Sequence, residues 1–378
     1  MRPTTRWALD DGAPHAMPDR LAAAAEEAAG APAGLYVVDV DGSCLFRVSG
    51  GDDLPEKLHV PRGLGPELPL GLVDEVRARL RERMSGAQVE PLVLHGRAIA
   101  FLVARSGPDG ALAPLASAAA PAVELAGGYT DRILAARRTQ TISPAAEMQQ
   151  GMLPARIAAL EGLDLACGVL PAYDVGGDWF DHAENADGTW LALADGVGKG
   201  PRAAALSAIA LGALRAARRN GDGLEAAVQM MHTALWRGSE EVDFVTAVLG
   251  RWLPEEGAIA WVNAGHPRPL VVARDGSMRE VGPTPTYPLG LFEDGRRFTA
   301  VLEPLLPGER AVLYSDGVSE RRRGDRSLLG LAGIEDALRA APDDSAVASV
   351  RAIQAAVLDA SPEPLRDDAT LLVVRRHG

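Results

Sequence analysis

At 378 residues, with 47% hydrophobic and 24% charged residues, the chain has the composition of an ordinary globular protein and enough length for two cores. A formal net charge of -13 at pH 7 argues against nucleic acid or an anionic membrane as the main partner. Only Cys44 and Cys167 are present, which excludes a disulfide framework and thiolate zinc spacing, and no run reaches the ~18 apolar residues of a membrane span, so a cytoplasmic protein is expected.

Residues 1–19 read as a loose tail, and 20–128 as a small α/β domain. Within it a helix over 21–29 should end at Gly30, and a strand near 34–39 should pair with 44–48. A helix over 72–84, a hairpin of 89–94 and 97–104 about His95-Gly96, and an Ala-rich helix over 112–127 complete it. This order loosely resembles the GAF/PAS type of sensory module, which implies a small-ligand or regulatory role; His59 and His95 read as turn or surface residues.

Residues 129–153 read as a helical linker with a break, because Ser143-Pro144 has the form of a cap and first residue of a new helix through Met152. Ile133, Ala136, Gln140 and Ile142 offer a ragged apolar face that suits a homodimer through the linker or a plain spacer helix.

From 154 to 378 the pattern is strands at 163–170, 179–183 and 189–194, helices at 202–218 and 224–236, strands at 242–252, 258–262, 270–273 and 310–315, helices at 334–339 and 345–359, and a strand at 370–375. The first of the two long helices reads as nearly apolar all round. Antiparallel strands layered with helix pairs give an α+β fold, an antiparallel β-sandwich flanked by helices.

Acids recur where apolar runs end. Asp178 sits in a Gly-Gly-Asp turn, Asp195-Gly196 and Asp316-Gly317 close short apolar runs, and Asp367-Asp368 directly precedes another. Each alone is an ordinary turn. Together they form a four-carboxylate constellation suited to hard cations, with Gly196, Gly198 and Gly200 letting the backbone come close and Pro201 opening a helix.

Seven segments recur in one order over residues 145–376: Ala146-Glu147-Met148-Gln149-Gln150 with Leu153-Pro154, Val175-Gly176-Gly177-Asp178-Trp179-Phe180-Asp181, Ala194-Asp195-Gly196-Val197-Gly198-Lys199-Gly200, Phe244-Val245-Thr246-Ala247, Asn263-Ala264-Gly265-His266-Pro267, Tyr314-Ser315-Asp316-Gly317-Val318-Ser319-Glu320, and Asp367-Asp368-Ala369-Thr370. In these the chain resembles the metal-dependent serine/threonine phosphatases of the PPM (type 2C-like) class, in their bacterial sporulation and stress-response branch.

The resemblance implies two stacked sheets holding two Mn²⁺ or Mg²⁺ ions. Asp195 would bridge them and orient the attacking hydroxide, Gly196 would add its carbonyl, Asp178 would serve one ion, and Asp316 and Asp367 the other. Asp181 and Asp368 rank second, as support or replacement. The implied substrate is a phosphorylated anti-sigma-factor antagonist, attacked in line without a covalent intermediate. Rival readings are a non-enzymatic scaffold and a phosphatase for small phosphoesters.

Where many eukaryotic relatives carry a histidine after the metal-binding Asp-Gly, this chain has Val197, which leaves the general acid unassigned. Lys199, one of two lysines, reads either as positive charge for the incoming phosphate or as a solvent-facing turn residue. The Arg321-Arg322-Arg323 run reads as a solvated flap or a contact for an acidic substrate, and His266 as a structural hydrogen-bonding residue.

Overall fold

The computed structural model describes residues 13–171, 177–238, 243–291 and 297–378; most of the N-terminal tail and the Val175-Gly176 part of the Gly-Gly-Asp segment lie outside them. The chain divides into two compact units, Met1–Thr141 and Ile142–Gly378. Among the described residues no helix is long and apolar enough to cross a membrane.

The first unit runs α1 (Met17–Ala29), β1 (Ala33–Val38), β2 (Cys44–Gly50), β3 (Lys57–His59), β4 (Leu68–Pro69), α2 (Val73–Arg83), β5 (Gln88–Leu94), β6 (Arg97–Ala104), α3 (Ala113–Ala126) and α4 (Arg132–Ala136). Gly30 takes the left-handed conformation that stops α1, with φ 67°. The strands form one antiparallel sheet in the order β3-β2-β1-β6-β4, with β5 also on β6. Strand alternation divides the core. Leu35 and Val37 of β1 pack with α1 and α3, whereas Tyr36 and Val38 face a second cluster that includes Val73, Val76 and Leu80 of α2. The expected helix, hairpin, helix, hairpin, helix order is present. The two short strands β3 and β4 were not expected, since three or fewer residues carry no readable period.

The expected helical linker is divided between the units. Only Arg132–Ala136 is helical in its first half, and there Ile133 is buried in the core of the first unit with Ala136 packed against it. Arg132 donates to Asp19 of α1 at 2.6 and 2.9 Å, a further tie to that unit. Ile142 packs instead with Ala145, Ala146 and Ala204 of the second unit. Of the ragged face that suited either a homodimer or a plain spacer helix, Ile133, Ala136 and Ile142 pack within the chain, and the face is not continuous.

The second unit opens with α5 (Pro144–Met152), capped by Ser143, whose hydroxyl accepts from Ala146 N at 3.1 Å as its sequence foretold. There follow β7 (Ile157–Leu160), β8 (Leu163–Leu170), β9 (Trp179–Asn185), β10 (Gly188–Gly196), α6 (Pro201–Asn220), α7 (Leu224–Gly238), β11 (Val245–Leu253), β12 (Ala258–Ala264), β13 (Leu270–Val272), β14 (Met278–Glu280), β15 (Val301–Pro304), β16 (Arg310–Tyr314), α8 (Asp316–Ser319), α9 (Gly330–Ala340), α10 (Ala346–Asp359) and β17 (Ala369–Arg376).

Two antiparallel sheets result, β15-β12-β11-β10-β9 and β14-β13-β16-β17-β8-β7. Leu191 and Leu193 of β10 turn inward with Phe180, Trp252 and Trp261 to meet Leu165, Cys167, Leu313 and Leu372 of the other sheet. Trp190, Ala192 and Ala194 turn outward under α6 and α7. Each fully buried aliphatic or aromatic side chain here stabilises by roughly 1.5–3 kcal/mol. The buried positions of α6 (Ala203, Ala204, Leu206, Ser207, Ala210, Leu211, Ala213, Leu214, Ala217) recur at helical spacing and cover one half of its circumference. That helix is therefore one-sided, contrary to the expectation of an all-apolar one.

Candidate active site

Strand ends bring the acids to one rim of the sandwich. β10 runs antiparallel to β9 and β11, so Asp195 at its C-terminal end lies opposite Thr246 and beside the start of β9, where Asp178 precedes Trp179. In the other sheet β16 ends at Tyr314, Ser315 follows, and Asp316 is the first residue of α8. β17 begins at Ala369, directly after Asp367-Asp368. Ser315 ties these two ends: its N–H donates to Thr370 O at 3.0 Å and its hydroxyl to Asp368 O at 3.2 Å.

Two glycines permit the approach for lack of a side chain. A Cβ on Gly177 would overlap the Gly196 carbonyl, and one on Gly317 would overlap the Asp368 carbonyl. Gly196 N donates to Gly177 O at 3.2 Å, and the Ser207 hydroxyl of α6 also donates to Gly177 O. The Gly-Gly-Asp turn is thereby fastened to the Asp-Gly at the end of β10.

The acids lie in one another's field. Burial first, then the charges of Asp195 and Asp368, hold the Asp178 carboxyl well above the usual carboxylate range. Burial, followed by Asp316 and Asp367, pushes Asp195 up to about 7. Asp316 is raised by burial, then by Asp367 and Glu320. Asp178 is 2% exposed, and its Oδ2 has no hydrogen-bond donor among the described residues. Oxygen donors of one sign with an unsatisfied buried oxygen fit a hard divalent cation in charge and chemistry. Among the described residues no three His, Cys, Asp or Glu side chains close on a common point, so the fit is one of charge and donor type without a finished cage.

Of the two neighbours in this turn Asp368 is buried and Asp367 exposed. Gln149 of α5, unremarked in the sequence beyond its place in a motif, donates through Nε2 to Asp368 Oδ2 at 2.9 Å and to Asp178 O at 2.7 Å. Asp181 stands apart from the acidic cluster. Its oxygens are held by Arg215 and Arg218 of α6, each at 2.8 Å, so a metal-supporting role for it finds no room. Arg321 is likewise no flap residue: it is buried and donates to the carbonyls of Val357, Ser361, Glu363 and Pro364. His266 Nδ1 lies 2.8 Å from Thr246 Oγ1, and Asn263 bonds both its N–H and its carbonyl at 2.9 Å, the structural role expected of it.

The family model described as stage II sporulation protein E (SpoIIE) matches residues 185–377, slightly more than half of the chain. The chain belongs to the SpoIIE family. Its C-terminal unit is a PP2C-type domain of the metal-dependent serine/threonine phosphatases, in the partner-switching branch. Phosphoserine phosphatase RsbU of Bacillus subtilis (strain 168) is 25% identical over 238 residues, 62% of this chain and 70% of the relative. The SiaA-PP2C domain of Pseudomonas aeruginosa is 20% identical with a TM-score of 0.50, over 61% of this chain and 94% of that one, a likeness of fold. The RsbU and RsbW domains of a Mycobacterium tuberculosis protein are 30% identical with a TM-score of 0.48, over 57% of this chain and 60% of that one.

Proposed function

We propose that the second unit of this SpoIIE-family chain hydrolyses phosphoserine or phosphothreonine on a cytoplasmic signalling protein, a phosphorylated anti-sigma-factor antagonist, under control of the first unit as a GAF/PAS-like module open to a small ligand. The observation that carries the reading is the shared field of Asp195, Asp178, Asp316, Asp367 and Asp368 at one rim. Like charges gathered around the buried Asp178 and Asp368 cost stability unless a cation offsets them. Asp178, Asp195, the Gly196 carbonyl, Asp316 and Asp367 would hold two Mn²⁺ or Mg²⁺ ions. When bound, such ions supply Lewis-acid charge for the phosphoryl oxygens and acidify water.

The chain's own contributions follow from its contacts. Asp195, at the centre of the cluster, orients the attacking group, and Gln149, donating to Asp368 Oδ2 and to Asp178 O, holds these two acids in register. Phosphate release is to be measured with and without Mn²⁺ for the native chain and for Asp195→Asn, on a phosphoserine protein, p-nitrophenyl phosphate and nucleotides. Neutralising the shared carboxylate should lower Mn²⁺-dependent release by on the order of 100-fold or more while sparing the fold. An Asp195→Asn protein with native Mn²⁺-dependent activity would sink the reading, and no release by the native chain would favour the scaffold instead.

A further inference from the structure

Two cavities open on either side of the Leu365-Arg366-Asp367 segment, and their charges differ. The first, of about 360 Å³, is bordered by Ser143-Pro144 at the start of α5, Lys199 and Pro201 at the start of α6, and Arg366 with Asp367. The second, of about 240 Å³, is bordered by four acids, Asp316, Glu320, Glu363 and Asp367, together with Arg322, the same Arg366, and Arg321, whose guanidinium is already taken up by backbone carbonyls. Leu365, Arg366 and Asp367 are common to both, so either could deliver a phosphoryl group to the acidic rim.

The acids of the first cavity are already engaged: Asp367 belongs to the proposed ion-holding set, and Asp368 accepts from Gln149. The second adds Glu320 and Glu363, which lie outside that set, and Glu363 already draws Arg366 to 3.3 Å. The first cavity also has two helix N-termini on its border, and their dipoles favour an anion. Among the described residues Lys199 has no carboxylate partner. Gly198 and Gly200 flank it at φ 94° and 73° with open space where a Cβ would stand, so these glycines are required for the path of the chain past Lys199, not for clearance.

We infer that the substrate's phosphoryl dianion enters through the first cavity and that Lys199 is its recognition cation. The inference rests on the phosphatase reading above. It makes the site read the phosphoryl group itself, so it applies equally to a phosphoserine peptide and to p-nitrophenyl phosphate.

The test uses the full chain at saturating Mn²⁺ and steady-state kinetics on those two substrates. Lys199→Glu should raise KM by about tenfold and Lys199→Ala by about threefold on both substrates, with Lys199→Arg near native. The rise of KM with added salt should flatten in Lys199→Glu, a change that a loosened fold would not produce. Arg322→Glu, on the second cavity, should leave KM as it is. Native KM in Lys199→Glu, a rise confined to the peptide, or a rise in Arg322→Glu in its place would each overturn the inference. Absence of Mn²⁺-dependent release from the native chain would bring down the phosphatase reading and this one with it.

Discussion

Gly317→Ala sets two physical effects against each other. Gly317 lies inside α8 with ordinary helical backbone, so alanine by itself should stabilise by about 1 kcal/mol through helix propensity. The new methyl would meet the Asp368 carbonyl well inside contact distance, and that atom belongs to the backbone entering β17, which cannot swing aside like a side chain. Overpacking of this kind costs about 3 kcal/mol at the upper end of its usual range, leaving a net loss of about 2 kcal/mol. At roughly 2–4 °C per kcal/mol for a domain of this size, metal-free protein should melt about 4–8 °C lower in its C-terminal transition. The displaced turn carries Asp367, so half-saturating Mn²⁺ should rise as well. Gly212→Ala is the matched control. Gly212 sits inside α6 with nothing within 4 Å of a built Cβ, so the same exchange there should raise the melting temperature by a few degrees. A Gly317→Ala protein that melts at or above the native temperature would refute the argument that clearance, not flexibility, requires this glycine.

Asp181→Asn should destabilise by about 3 kcal/mol in urea unfolding, because Arg218, with a side chain only 10% exposed, loses its counter-charge, while half-saturating Mn²⁺ stays native; a shift in the metal titration would return Asp181 to the ion site. His266 is held down to about 3 by burial, so the unfolded chain takes up its proton near the ordinary value of 6.5 and the folded chain does not. Stability should therefore fall as pH drops below 6.5, with this residue adding about 1.4 kcal/mol per pH unit, and urea unfolding of His266→Gln at several pH values should show a slope shallower by one proton. Equal slopes in the two proteins would show that His266 is protonated in the fold.

The residues that could be read in advance are those whose signals are local. Ser143 before Pro144 and Ser345 before α10 announce helix starts through hydroxyls that accept from the third residue on, at 3.1 and 3.0 Å. The apolar run ending at Asp195 and the one that starts after Asp368 announce strand ends, and the ordered motifs point to the family. The short strands β7, β14 and β15 escaped notice because a run of three or four residues becomes a strand only when a partner lies beside it.

By itself, then, the sequence determined the strands and helices with a clear period, the acids at their ends and the class of enzyme domain they belong to. Tertiary structure alone decided which charges are spent. Asp181 and Arg321 look as available as Asp178 and Lys199 along the chain, yet α6 neutralises the first and four backbone carbonyls absorb the second. It also decided where the two parts of the linker pack, Ile133 in the core of the first unit and Ile142 in a cluster of the second. The physical reason is the range of the forces involved. Propensity and capping act over a few residues, whereas ion pairing, desolvation and close packing depend on what the fold brings from tens or hundreds of residues away.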